Sequence, residues 1–202
     1  MKEHYKKSIR FSLGIAVITF VLAALFSIIS TFLLDGVGWY FGIIIVLCIV
    51  LVGVFFDMLG IAATAADEIP FHAMAAEKVS GANHSILIVR NADRFASFCN
   101  DVIGDISGIV SGTAAAIVVL QISLGIGFDE GSGSQFTISV IFTSIIAALT
   151  VGGKALGKFL AMRFSTKIIL YAGRMIAFME KHLHITILPP IKKQKRKKTL
   201  RR

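Results

Sequence analysis

The sequence predicts an all-α, polytopic membrane protein with four transmembrane helices, a cytoplasmic helical hairpin and a basic, amphipathic juxtamembrane helix. Of its 202 residues, 55% are hydrophobic and 16% are charged, and the mean hydropathy is +0.80. A typical soluble domain is about 45–50% apolar and about 25% charged. A chain of this length cannot bury such an apolar excess in one water-soluble core. The composition therefore excludes a soluble enzyme domain and a disordered chain.

Four apolar runs are long enough to cross a bilayer, whose core of about 30 Å needs about 20 apolar residues in a helix. The first run, 11–34, contains no charged residue and exceeds the roughly 7–15 apolar residues of a signal peptide, so we expect it to be retained. The second run, 40–66, is interrupted by Asp57 alone. The third extends from 101 or 102 to 128, and the fourth from 136 to about 156.

The basic residues predict the topology of these spans. All 21 lie in the N-terminal segment, in the polar segment 67–100, or from Lys154 onward, and neither of the loops 35–39 and 129–135 contains one. By the positive-inside rule, both termini and segment 67–100 are cytoplasmic. We therefore expect a multi-pass protein of the plasma membrane, and the compact chain without targeting signals favours a bacterial one.

The net charge of +9 points to anionic lipid as a partner. In a soluble protein such a surplus would indicate nucleic acid, but here it accompanies membrane spans, so no nucleic acid is expected. The predicted segments are the cytoplasmic N-terminus 1–10, the extra N-terminal helix 11–34, the transmembrane domain 40–157 with its cytoplasmic helical segment 67–100, the amphipathic juxtamembrane helix 158–188, and the polybasic tail 189–202. We expect the chain to bind lipid headgroups through this tail.

Ionisable residues within apolar spans are costly and mark candidate functional sites. Asp57, Asp105 and Lys154 are the residues of this kind, and Asp101 lies one turn before Asp105 on the same helix face. Carboxylate, amide and hydroxyl oxygens are the ligands that a hard cation such as Mg²⁺ prefers. Two structural alternatives remain open: Asp57 forms a buried ion pair with Lys154, and Asp101 caps the third span.

Glycines recur at helical spacing in the third run. Gly104, Gly108 and Gly112 lie four residues apart, a pattern that permits close helix packing or dimerisation. Alternatively, a helix break at such glycines exposes backbone carbonyls that coordinate an ion. Nucleophile, Walker, Rossmann and zinc-binding motifs are absent from the sequence, so we expect neither an enzyme nor an organic cofactor.

Three stretches carry a family resemblance: FFDMLGIAATA at 55–65, RFASFCNDVIGD at 94–105 and GKALGK at 153–158. In their order and spacing they resemble three motifs in the transmembrane domain of the cyclin-M/CorC magnesium-transporter family. The resemblance covers residues 41 to 184 and is divergent, and the cytoplasmic CBS modules of that family have no counterpart in this sequence.

The resemblance implies a homodimeric transporter or exporter of divalent cations, with Mg²⁺ as the transported or bound ion. Asp57, Asp105 and the carbonyl of Gly153 would then be ligands, and Lys154 would balance or gate the charge. The residues expected to surround these ligands are Gly60, Asn100, Asp101 and Ser107. The alternative is a non-transporting scaffold or accessory subunit, in which an Asp57–Lys154 pair plugs the site and locks the bundle.

Overall fold

The computed structural model describes residues 2–127 and 133–183, and this part of the chain contains helices and no strand. Seven α-helices and one π-helical segment follow one another along it. Their bounds are α1 Lys2–Leu34, α2 Trp39–Ala65, α3 Ile69–Ala76, α4 Ala82–Arg90, α5 Ala92–Ser97, the π-helical segment Phe98–Gly104, α6 Asp105–Ile126 and α7 Gly133–Leu183.

Four helical stretches in the described residues are long and apolar enough to cross a membrane: Ser12–Leu34, Trp39–Ala65, Ala92–Ile126 and Gly133–His182. They confirm the all-helical fold and the four predicted spans, and they make this a multi-pass membrane protein. The predicted bounds of the second span agree with α2 to within one residue at each end. The third span differs, because helix extends without interruption from α5 through the π-helical segment into α6.

Helix α2 lies at the centre of the bundle and packs against α6 through glycines. A Cβ atom on Gly42 would lie 2.6 Å from Val118, and one on Gly53 would lie 2.8 Å from Cβ of Ser107. From the first pair to the second, the residue number rises along α2 and falls along α6, so the two helices are antiparallel. The absence of side chains at these glycines therefore sets how closely the two backbones approach.

The glycines of α6 have a different role from the one their spacing predicts. Gly104 contacts neighbouring elements, but a Cβ on Gly108 or Gly112 would find no atom within 4 Å. The glycines that bring α2 and α6 together thus lie on α2, and Gly108 and Gly112 contact no other helix in the described part of the chain.

The segment between the second and third spans contains α3, α4 and α5, whereas the sequence predicts two helices, at 73–80 and 91–100. Phe71 and Ile88 are fully buried in a core that they share with Ile169 of α7. Glu68 accepts hydrogen bonds from His72 and from Arg90, at 2.7 and 2.6 Å. Desolvation raises the pKa of the Glu68 carboxyl, but these two partners outweigh it and hold the pKa below its usual range.

Helix α7 consists of two helical parts that meet at a kink, where Phe164 departs from helical backbone angles. The sequence predicts a fourth span that ends near 156 and a separate helix over 158–188, but no boundary exists at 157. The chain bends instead at Phe164, and α7 then packs against α4. The end of the predicted juxtamembrane helix and the tail 189–202 lie outside the described residues.

Very close contact joins α4 to α7. Gly81 has φ +85° and lies next to the backbone of Arg174, while the Ser85 hydroxyl lies 3.0 Å from the carbonyl oxygens of Gly81 and Ile169 and donates to them. A Cβ on Gly173 would lie 2.5 Å from the Gly81 oxygen and 2.9 Å from the Ser85 nitrogen. Only glycine fits at position 173 without movement of either backbone.

Candidate polar site between α2, α6 and α7

Five residues form a polar cluster where α2, the π-helical segment and α7 meet. Asp57 comes from α2, Asn100 and Gly104 from the π-helical segment, Asp105 from the first turn of α6, and Lys154 from α7. We call this group the polar cluster. The tertiary structure thus brings together Asp57, Asp105 and Lys154, the three ionisable residues that the sequence singles out in apolar runs.

The π-helical segment Phe98–Gly104 distinguishes this level of the bundle from the rest of the third span. π-Helical turns are rare, and they occur frequently at functional sites. Gly104 ends the segment, and its carbonyl oxygen lies 3.6 Å from the position of a Cβ on Gly53. The missing side chains at these two glycines allow α2 to approach the π-helical backbone closely.

Asn100 has a side-chain oxygen without a partner. Its amide lies against Gly60, where an added Cβ would collide with Oδ1 and lie 2.7 Å from Cγ. Oδ1 is buried, and no residue in the described part of the chain donates a hydrogen bond to it. Because an unsatisfied buried acceptor is costly, this oxygen is the clearest sign in the cluster of a missing donor or cation.

Lys154 pairs with Asp105, and the described part of the structure does not contain the Asp57–Lys154 ion pair that the sequence left open as an alternative. The Lys154 Nζ atom lies 3.6 Å from Asp105 Oδ1, and no ion pair joins Lys154 to Asp57 within the described residues. Asp57 Oδ1 and Lys154 Nζ lie 3.6 and 3.7 Å from the position of a Cβ on Gly104. Gly104 therefore leaves a small space, bordered by a carboxylate on one side and an ammonium on the other.

The residues of this site differ in their exposure. The side chain of Asp105 is 65% exposed and that of Lys154 is 28% exposed, while Asp57 is half-buried. Asp101 is exposed in the middle of continuous helix, so the alternative in which it caps the third span is also wrong: no helix begins there. Ser107 is buried against Gly53, which makes it a packing residue between α6 and α2.

Gly153 lies in a continuous stretch of α7, and a Cβ there would lie 2.9 Å from Cγ2 of Val54. The structure thus uses Gly153 to bring α7 close to α2. A ligand role for its carbonyl stays a prediction, but the helix break that such a role requires lies at Phe164, eleven residues further on.

The atoms of the polar cluster that could coordinate a metal ion are oxygens. The cluster also contains one cationic group, the ammonium of Lys154. Such oxygens suit a hard cation, and carboxylate with amide oxygen fits Mg²⁺ when water completes the coordination shell. The described residues contain no group of three or more His, Cys, Asp or Glu side chains placed to hold a metal. The chain therefore supplies an incomplete shell, in which Lys154 lies beside the carboxylate oxygens.

Sequence reasoning missed the π-helical segment and the central position of Gly104. It also missed that Gly42, Gly53 and Gly60 share one face of α2. Their spacings of eleven and seven residues are close to whole helical turns, and this signal was available in the sequence.

Comparison with protein-family models, with curated proteins and with solved structures finds no match to this chain.

Proposed function

We propose that this protein is a membrane transporter or exporter of a divalent cation of the Mg²⁺ type, and that the cation binds at the polar cluster. The Oδ1 of Asn100 carries this proposal, because it is buried without a partner among the described residues in a cluster that also contains the carboxylates of Asp57 and Asp105. A charged or unsatisfied group at membrane depth is expensive, and such groups commonly mark the path of an ion. The homodimer, the cytoplasmic termini and the plasma-membrane location that the sequence favours belong to the same proposal.

In this mechanism Lys154 competes with the transported ion. With no ion bound, the ammonium lies near the carboxylates and compensates part of their charge. A divalent cation that enters the site binds the carboxylate oxygens of Asp57 and Asp105 and the amide oxygen of Asn100. The ammonium of Lys154 then moves away from the carboxylates. The partial exposure of Lys154 and its flexible four-carbon stem support this exchange.

Mg²⁺ should stabilise the purified protein, and this effect should depend on the polar cluster. At about 100 times its Kd, a ligand of one site adds about 2.7 kcal/mol to the free energy of unfolding. We expect a saturable rise in the melting temperature of the wild type in detergent, and none in Asp57→Asn or Asp105→Asn. Asp93→Asn, at an exposed position of α5, is the control and should respond like the wild type.

Absence of any shift with Mg²⁺, Mn²⁺ or Na⁺ in a folded wild type would contradict the cation site. A shift that survives in both cluster variants would place the ion elsewhere. With a positive result, flux of the same ion into proteoliposomes tests transport itself.

The second candidate function is a scaffold or accessory subunit, and the Lys154–Asp105 pair favours it. In this alternative the ammonium is a permanent member of the cluster, and the ion pair joins α7 to α6. Removal of Lys154 then leaves both the half-buried carboxylate of Asp57 and the carboxylate of Asp105 without the positive charge beside them, which lowers the stability of the bundle.

Lys154→Gln separates the two candidates. For the transporter we expect a folded protein that binds Mg²⁺ roughly fivefold more tightly, since an exposed ion pair of up to about 1 kcal/mol no longer competes. Lys154→Arg keeps the charge and is the control. If Lys154→Gln unfolds and the double variant with Asp105→Asn restores folding, the scaffold is correct and the transporter is not.

A further inference from the structure

The part of α7 beyond the bend at Phe164 carries two adjacent stripes of exposed side chains. Lys167, Arg174 and Lys181 recur every seven residues, close to two helical turns, so they form one basic stripe. Beside it lie Tyr171, exposed to 64%, and Phe178, exposed to 63%. The opposite face of the same helix is buried against α4. Apart from Arg174, which contacts the turn before α4, the members of these two stripes are exposed to solvent in the described chain.

Within the part of the chain that the structure describes, no ion pair neutralises the charge of the basic stripe. Glu180 is the only carboxylate in the distal half of α7, and it lies 2.9 Å from His84 of α4. Among the described residues, no carboxylate forms an ion pair with Lys167, Arg174 or Lys181. The basic stripe is therefore available to a negatively charged partner.

An open cleft of about 590 Å³ lies at the end of the basic stripe. Its lining includes Ser80, Arg174 and Lys181 on the polar side and Met175 and Phe178 on the apolar side. Arg174 donates from Nε to the Ser80 carbonyl at 3.3 Å, and its guanidinium lies 5.6 Å from the centre of the Tyr171 ring. These contacts hold the guanidinium in place.

The position of this face along α7 indicates where it meets the bilayer. Between Gly133 and Gly153 the helix contains no charged residue, and this stretch alone is long enough to cross the hydrocarbon core. The next residue is Lys154, and α7 continues to Leu183. The bend at Phe164 lies ten residues, about 15 Å of helix, beyond Lys154, so the distal half of α7 begins on the headgroup side of the hydrocarbon core.

We propose that the distal half of α7 is an interfacial binding surface for anionic phospholipid. The phosphate of a headgroup binds Arg174 and Lys181 in the cleft, and Tyr171, Met175 and Phe178 enter the boundary between headgroups and acyl chains. Basic residues beside exposed aromatic and Met side chains are the pattern of interfacial helices that prefer anionic lipid. This surface is distinct from the polar cluster and does not depend on transport.

The first test is lipid titration of the full-length protein in detergent, followed by thermal unfolding. We expect phosphatidylglycerol to raise the melting temperature at lower concentration than phosphatidylcholine does. A basic residue near an anionic surface contributes about a fivefold gain in affinity, so Lys181→Gln should shift the phosphatidylglycerol midpoint by about that factor. Arg94→Gln, which removes the same charge from an exposed position of α5, should not shift it.

Two results of this titration overturn the proposal. Equal weakening by Arg94→Gln and Lys181→Gln would show a nonspecific effect of net charge. Equal stabilisation by inorganic phosphate and by phosphatidylglycerol would show a site for free anions and no lipid surface.

The second test places a fluorescent reporter on the apolar stripe. The chain has a single tryptophan, Trp39, so a Phe178→Trp variant in a Trp39→Phe background reports from α7 alone. In vesicles of phosphatidylglycerol and phosphatidylcholine, brominated acyl chains should quench this emission relative to unbrominated lipid. Emission that is not quenched would mean that water or protein, including a second copy of this chain, covers the surface, and the proposal would be wrong.

Discussion

Gly173→Ala should destabilise the protein by about 3 kcal/mol or more, because the added methyl group meets backbone atoms of α4. Its Cβ would lie 2.5 Å from the Gly81 carbonyl oxygen and 2.9 Å from the Ser85 nitrogen. Neither atom can rotate away, since both belong to the tight N-terminal turn of α4, and Gly81 already has φ +85°. We expect α4 to separate from α7, exposing Ile88 and Ile169 of the shared core.

Thermal unfolding in detergent and limited proteolysis of segment 67–91 measure this effect. Gly152→Ala is the matched control in the same helix, because a Cβ there finds no atom within 4 Å. Alanine is up to about 1 kcal/mol more favourable than glycine within a helix, so the control should be neutral or stabilised. A Gly173→Ala protein with the stability and protease resistance of Gly152→Ala would contradict the close α4–α7 contact.

Gly53→Ala should cost about 1–3 kcal/mol through a clash between α2 and α6. The new Cβ would lie 2.8 Å from Cβ of Ser107, an atom that moves only with its backbone. Relief of the clash requires the two helices to separate near the carbonyl of Gly104, so the polar cluster should loosen as well. We therefore expect both a lower melting temperature and a weaker response to Mg²⁺.

Gly108→Ala is the control, because it makes the same substitution at a position where an added Cβ finds no atom within 4 Å. It should keep the stability and cation response of the wild type. If Gly108→Ala were the more damaging of the two, the packing surface of the third span would be the glycine stripe of α6, and the α2-centred arrangement would be wrong. Damage that appears only when the protein is concentrated would instead place Gly108 at an interface between copies.

Individual helices illustrate what sequence patterns can predict. The bounds of α2 follow from its apolar run, because a helix in the bilayer must satisfy its own backbone groups over the full hydrocarbon thickness. The division of α7 lies at Phe164, later in the chain than the sequence predicts. The charge pattern changes at Lys154, but charge pattern alone does not interrupt helical hydrogen bonding, and the helix continues to the bend at Phe164.

The polar cluster was predicted in part. Asp57, Asp105 and Lys154 were identifiable because an ionisable side chain in an apolar run is costly wherever it points. Their pairing was not identifiable, because it depends on helix rotation. The π-helical segment Phe98–Gly104 changes the rotation of the third span just before Asp105, whose carboxylate lies 3.6 Å from Lys154 Nζ.

The sequence by itself determined the all-helical, four-span character of this membrane protein and its cluster candidates, since both follow from the free energy of transferring residues between water and hydrocarbon. Only the tertiary structure decided which residues meet. Contacts such as Gly60 with Asn100 and Gly81 with Arg174 join residues 40 and 93 positions apart. They depend on the axial offset and rotation of packed helices, which are decided by side-chain fit between distant segments, and the spacing of residues along one helix does not identify the partner that each residue meets.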